Sequence, residues 1–267
     1  MSDTEIPIWA HEKIIHEGAE ATLSEGKWFG KSAISKVRRK RGYRYPELDL
    51  KLTKKRISAE ARILYRLRKE SFPCPSIYYL NTNNSQIIMS KILAIPLYEK
   101  LNTLQSPKLI LEKIGKLVRK LHLCDISHGD LTTHNILISP EEKLFMIDFG
   151  LSKISPEVEH LGLDLQVLSE CLTASHANIE NPMEEIIRGY ISKDDVPSSE
   201  NANDVVSRFE EIKSRIKLDD ESLPYRDHTY DYWTKTTLEG NYSITLRKKI
   251  SSGEIEEIWN GDLEKEK

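Results

Sequence analysis

Three oxygen-bearing side chains stand at a spacing that could serve phosphate chemistry. Asp130 follows His128-Gly129, Asn135 lies five positions further on, and Asp148 opens Asp-Phe-Gly thirteen positions after that. Phosphoryl transfer asks a protein mainly for positioning and charge compensation. Asp130 is of the type that orients an attacking hydroxyl or water, and Asn135 and Asp148 are of the type that holds Mg²⁺ against phosphate oxygens. Mg²⁺ is hard and takes oxygen ligands, often only one or two of them from protein. Any one of these residues alone reads as an ordinary loop Asp or Asn. The joint pattern points to a nucleotide-phosphate site that takes ATP and Mg²⁺.

Local patterns say which elements must bring these groups together. Asn135 to Ile138 and Lys143 to Ile147 are β-type runs around the turn Ser139-Pro140-Glu141-Glu142. A hairpin there closes its outer ends and sets Asn135 beside Asp148. Ile14 to Leu23 reads as strand, turn and strand, with Gly18 and Ala19 at the turn as candidates for a phosphate loop. A lone glycine is equally well explained by a plain hairpin turn. Lys36 follows the strand-like Ala33-Ile34-Ser35, and Thr53 opens an expected helix to about Lys69. The inner stripe of that helix is Ile57, Glu60, Ala61, Leu64 and Leu67, at helical spacing. A carboxylate among apolar neighbours needs a partner. Lys36 fits that need, as a strand lysine bridged to a helix glutamate while it contacts phosphates. The alternative lets Glu60 reach solvent and leaves Lys36 in a basic patch.

Gln86 to Ile92 reads as a strand that leads into a connection between lobes. Met89 would face adenine and the main chain up to Ile92 would meet the base edge; an apolar core strand is the competing reading. Ser106-Pro107 starts a helix with Ile110, Ile114, Leu117, Val118 and Leu121 on one side, ending near His122. Gly162-Leu163-Asp164-Leu165 opens another, where Asp164 either anchors the catalytic loop or favours a helix N-terminus. Val205, Phe209, Ile212 and Ile216 mark a further helix. Residues 228–259 resemble strands around the turn Glu239-Gly240-Asn241, a small β meander or a loosely held extension.

The 267 residues, 30% charged and 39% hydrophobic, can bury a substantial core in one large domain or two lobes. No apolar run approaches membrane-spanning length, and the polar, acidic start is no signal peptide. A membrane role is therefore not expected. Cys74, Cys124 and Cys171 show no paired spacing and suit a reducing, cytoplasmic setting. Net charge is only −3, yet residues 31–69 hold fifteen Lys/Arg against three Asp/Glu. A solvated helix face is the default reading of such a run, and a phosphate-rich partner such as RNA is the second.

Gly18-Ala19-Glu20-Ala21, Gly42-Tyr43-Arg44-Tyr45-Pro46-Glu47-Leu48-Asp49, Arg56 with Glu60-Ala61-Arg62, His128-Gly129-Asp130-Leu131-Thr132-Thr133 and Asp148-Phe149-Gly150-Leu151-Ser152 together carry a family resemblance. Over residues 12–217 the chain resembles the PRPK-like atypical kinase/ATPase family of the KEOPS (EKC) complex. That resemblance implies an α+β, bilobal protein-kinase-like fold: a β-rich N-lobe over residues 12–92 and a reduced, mainly helical C-lobe over 93–217. Residues 218–267 lie outside it as a C-terminal extension. It implies ATP hydrolysis that supports threonylcarbamoyl modification of adenosine 37 in tRNAs decoding ANN codons, with latent Ser/Thr kinase activity. The implied partners are the complex's threonylcarbamoyl-transferase subunit, a Cgi-type subunit and tRNA. By matching position Lys36 and Glu60 become the phosphate-binding pair, Asp130 the catalytic Asp, and Asn135 and Asp148 the metal ligands. The chain departs from the family at His134 for Ser, Ser90 for Glu and His160 for Asp. Only thirteen residues separate Gly150 from Asp164 and no Ala-Pro-Glu follows, which leaves little room for a peptide-docking activation segment. A small-molecule phosphotransferase and a non-catalytic RNA-binding scaffold are the competing readings.

Overall fold

A computed structural model describes residues 8–18, 21–39, 45–104, 106–192, 201–216, 220–221, 224–236 and 243–260. The chain divides into two compact units, Met1–Phe209 and Glu210–Lys267.

The first unit opens with strands β1 (Trp9–Glu17), β2 (Ala21–Trp28) and β3 (Lys31–Arg38), then helix α1 (Pro46–Lys69) and strands β4 (Ile77–Asn81) and β5 (Gln86–Ser90). The five strands form one antiparallel sheet in the order β1-β2-β3-β5-β4. Helix α1 begins seven residues before the expected Thr53. Pro46 in its first turn, with Glu47 and Asp49 beside it, supplies the start signal that the surrounding basic run obscures. Its expected inner stripe is inner: Ile57, Glu60, Ala61, Leu64 and Leu67 are all buried.

The mainly helical half follows with β6 (Ile95–Pro96), α2 (Leu97–Lys100), α3 (Pro107–Leu123), β7 (Ile126–Ser127), β8 (Ile136–Ile138), β9 (Leu144–Met146), β10 (Lys153–Ile154), α4 (Val158–Ser175), α5 (Pro182–Ile191) and α6 (Ala202–Ile216). Its core gathers Ile110, Ile114, Val118 and Leu121 of α3 with Leu165, Leu168 and Leu172 of α4. Helix α5 was not anticipated, although Pro182 in its first turn followed by Glu184 and Glu185 is a helix start. It packs on α3 at close range. A Cβ on Gly115 would stand 1.9 Å from the Ile186 carbonyl oxygen, and one on Gly189 would stand 2.0 Å from that of Glu112. Only glycine at both positions lets the two backbones approach in this way. Helix α4 starts four residues before Gly162, with Glu157 and His160 closing a capping box.

The second unit adds β11 (Asp220–Glu221), β12 (Tyr225–Asp227), β13 (Tyr230–Thr236), β14 (Ser243–Lys249) and β15 (Ile255–Asn260), one antiparallel sheet. Tyr232 faces Arg247 across β13 and β14, and the Arg247 guanidinium lies 4.6 Å over the Tyr230 ring. The expected turn at Glu239-Gly240-Asn241 lies outside the described residues. Among the described residues no helix is long and apolar enough to cross a membrane.

Candidate active site

The period of β3 decides what meets what. Side chains two apart on a strand share a face, so Ile34, Lys36 and Arg38 point the same way. Ile34 packs against Ile57, Ala61, Ile87 and Met89, which seats β3 on α1. Lys36 then meets Glu60 with Nζ 2.7 Å from Oε1, and reaches Asp148 Oδ1 at the same distance. Arg38 donates from Nη2 to the other Glu60 oxygen at 2.9 Å. Glu60 is 2% exposed, so one buried carboxylate serves two cations. Burial opposes charge on Lys36, but Glu60 and Asp148 outweigh it and raise the ammonium above its ordinary value. Burial likewise opposes charge on Asp148, but the charge and hydrogen bond of Lys36 outweigh it and hold the carboxyl below its ordinary range. Both groups are therefore ionised at neutral pH.

The hairpin β8–β9 closes as its turn chemistry anticipates, with Ile136 opposite Met146. The Ile147 N–H donates to the Asn135 carbonyl at 3.0 Å, which brings Asn135 next to Asp148. Asn135 donates both amide hydrogens to Asp130, at 2.8 Å to its carbonyl and 3.0 Å to Oδ2. The oxygen Oδ1 is then what Asn135 retains for a cation. Asp148 adopts φ +61°, the left-handed region that Asp tolerates better than most residues. Such positions cluster where surrounding structure enforces a geometry.

Five hydrogen bonds hold the loop that carries Asp130. Asp164 is buried and accepts the backbone N–H of His128 at 2.6 Å and of Gly129 at 2.7 Å. It lies in the seventh position of α4, not the first turn, so of its two expected roles the structure selects the loop anchor. His122 links that carboxylate (Nε2, 3.2 Å) to the Tyr190 hydroxyl (Nδ1, 2.7 Å). Ser152 donates to the His128 carbonyl at 2.8 Å and ties the segment after Asp-Phe-Gly to the loop. His128 itself bridges: Nδ1 accepts the Asp130 N–H at 3.3 Å, and Nε2 lies 3.1 Å from the Ile147 carbonyl. That pairing uses the neutral ring with its proton on Nε2. Burial pushes the imidazole below its ordinary value, which agrees.

Lys36, Arg38, Asp130, Asp148 and Gly150 line one cavity of about 370 Å³, together with His16 of β1 and Gly18 just after it. Ala19 lies outside the described residues. Met89 is packed in the core between the sheet and α1, and Ile92 is half-buried; neither lines this cavity. The Asp148 carboxylate, which lines the cavity, and Asn135 Oδ1, held beside Asp130, are hard oxygens of the kind that fit Mg²⁺. Arg38, His128 and Ser152 join the site beyond the expected residues. The alternation Lys36-Val37-Arg38 on a strand is the signal for the first; His128 and Ser152 stand inside the His-Gly-Asp and Asp-Phe-Gly-Leu-Ser motifs, whose letters do not give their bridging contacts. The departures settle into structural roles. His134 stacks on Tyr98 with ring centres 4.0 Å apart, His160 Nδ1 accepts the Glu157 N–H at 3.2 Å, and Ser90 Oγ accepts the Ser76 N–H at 2.9 Å.

Comparison with known proteins agrees with this geometry. The RIO domain family matches residues 30–170. The KEOPS complex subunit Bud32 of Pyrococcus abyssi is 33% identical over 212 residues, covering 76% of this chain and 94% of that protein. A probable bifunctional tRNA threonylcarbamoyladenosine biosynthesis protein of Methanosphaera stadtmanae is 38% identical over 204 residues, 76% of this chain. The chain spans only 36% of that relative's length. Among solved structures, the Rio2 kinase of Chaetomium thermophilum, in an ADP/Mg²⁺-phosphoaspartate complex, aligns over 78% of this chain and 72% of its own with a TM-score of 0.57. At 16% identity that likeness shows the fold, a bilobal kinase-like one. Matched by the family over more than half its length, and by Bud32 across nearly all of that relative, this chain belongs to the RIO-domain family beside the KEOPS subunit Bud32.

Proposed function

We propose that the chain is an ATP-hydrolysing subunit of a KEOPS complex. In this reading its turnover supports threonylcarbamoyladenosine modification at position 37 of tRNAs decoding ANN codons, with latent Ser/Thr protein kinase activity. The observation that carries the reading is the convergence of Lys36, Glu60 and Asp148 within 2.7 Å contacts on the cavity that Asp130 also lines. Lys36, clamped by Glu60, binds and orients the nucleotide's phosphates. Asn135 and Asp148 would hold Mg²⁺, whose charge offsets theirs when bound. Asp130, oriented through Asn135, holds the attacking water or hydroxyl in line and takes up its proton. Gly18, which lines the cavity, would close over the phosphates, with Ala19 beside it in sequence. The short stretch from Gly150 to Asp164 favours water over a docked peptide as acceptor. The partners are the threonylcarbamoyl-transferase subunit, a Cgi-type subunit and, through the complex, tRNA; the compartment is the cytoplasm.

The test is a pull-down with the transferase subunit, followed by phosphate-release assays with and without tRNA. Co-purification and ATP turnover that rises with the partner are expected, and Asp130→Asn should reduce that turnover by about 100-fold or more with unchanged circular dichroism. Transfer of phosphate to a small alcohol without partner binding would replace this reading with a small-molecule phosphotransferase.

A further inference from the structure

We infer that His176 is a positioning residue for the phosphoryl chemistry, one that acts through the Thr133 hydroxyl to fix the far half of the loop carrying Asp130 and Asn135. The inference rests on the nucleotide reading above. The bonds to Asp164 and Ser152 hold that loop at His128 and Gly129, before Asp130. Asp130 and Asn135 bond each other, so both feel any displacement of the residues between them.

Thr133 is where that intervening stretch is tied down. Its carbonyl accepts the Tyr98 N–H at 3.0 Å, and its hydroxyl lies 3.0 Å from His176 Nε2. Thr133 and His176 are both fully buried, and neither lines the cavity. His176 directly follows α4, and its own N–H donates to the Leu172 carbonyl at 2.9 Å, so the helix end fixes the root of the ring. Tyr98 of α2 stacks on His134 and meets the His176 ring edge-on, with centres 5.7 Å apart.

Asn102, just beyond α2, sets the direction of the bond. Its Nδ2 donates to the Ser175 carbonyl at 3.3 Å, which turns Oδ1 toward His176 Nδ1 at 2.8 Å. An amide oxygen only accepts, so Nδ1 carries the ring proton and Nε2 the lone pair. Burial, with His134 near by, pushes the imidazole below its ordinary value, in keeping with a neutral ring. The Thr133 hydroxyl therefore donates to Nε2, and the Cys171 thiol, 3.4 Å away, donates to the hydroxyl oxygen. A buried network with each member satisfied specifies one arrangement. Here it specifies the place of a residue three after Asp130 and two before Asn135.

The experiment is steady-state ATP hydrolysis and ATP titration calorimetry with the full-length protein, for the wild type, Thr133→Val and Thr133→Ser. Val keeps the shape and loses the hydroxyl; Ser keeps the hydroxyl. In Thr133→Val kcat should fall by about tenfold or more with ATP affinity within about twofold, whereas Thr133→Ser should stay within about threefold of wild type in both. His176→Phe should lower kcat to the same extent, and the double variant should lose no more, as two ends of one bond require. A bond that only stabilises the fold would lower the urea midpoint of Thr133→Val and leave kcat unchanged. That result overturns the inference, as does a loss of affinity in place of kcat, or additive losses in the double variant. If Thr133→Val fails to fold, the double variant, which removes both partners of the bond together, decides on the same kcat-to-affinity split. A wild type without ATP turnover overturns the proposed function and this inference with it; an unaffected variant of an active protein overturns the inference alone.

Discussion

Glu60 is the side chain on which the cation cluster turns, because both of its oxygens are committed, at 2.7 Å to Lys36 and 2.9 Å to Arg38. Removing the acceptor from a buried pair leaves uncompensated charge, a larger loss than the pair's own worth. Glu60→Gln should lower unfolding stability by about 3 kcal/mol in urea titration and depress ATP turnover at least about tenfold. His128 gives the second prediction at this scale. Its folded value lies below the ordinary one of about 6.5, so in acid the unfolded chain takes up a proton first. Its stabilising contribution is fully present above about pH 6.5 and is lost as pH falls below that. Asp148, also depressed, loses its contribution only as pH falls below its ordinary carboxylate value. Melting temperature measured from pH 7.5 to 5 should therefore decline in the wild type and decline less steeply in His128→Asn. Equal slopes would remove His128 as the source.

The helices are what make the loop geometry rigid. Helix α4 presents Asp164 beneath His128 and Gly129, and α3 presents His122 to the same carboxylate. Helix α5 enters this support through Tyr190, one residue beyond the Gly189 that lets it approach α3. A methyl at Gly115 would be driven into the Ile186 carbonyl. Gly115→Ala should destabilise the protein by about 2 kcal/mol through forced separation of α3 and α5, read as a lower urea midpoint with an unchanged slope. Because Tyr190 moves with α5, turnover should fall in the same variant while ATP affinity changes little. An unaltered midpoint would mean the helices part without cost. The legibility of these elements in the sequence was uneven. α3 announced itself through Ser106-Pro107 and its apolar stripe. The start of α1 at Pro46 lies seven residues before Thr53, inside a basic run whose charge hides the helix signal, and the apolar stripe of α5 is too brief to stand out.

At the scale of the molecule, every side chain of the site comes from the unit that ends at Phe209, and the unit from Glu210 onward holds the end of α6 and the β11–β15 sheet. Ending the chain after residue 217 should leave ATP turnover within about twofold of the full-length value, since a unit with its own core can fold alone. A larger loss would show that the C-terminal sheet takes part in the chemistry.

What the sequence determined by itself was local: the hairpin that sets Asn135 beside Asp148, the stripe that carries Glu60, the order of the motifs. Turn chemistry and helical or strand period act over a few residues, so they can be read in a line of letters. Only the tertiary structure decided that Arg38 leaves the basic run for the cavity wall, that Asp164 anchors the loop, and that a lysine 112 positions away closes on Asp148. Those contacts depend on how β3, α1 and α4 pack in three dimensions, and no short-range pattern in the chain encodes that distance.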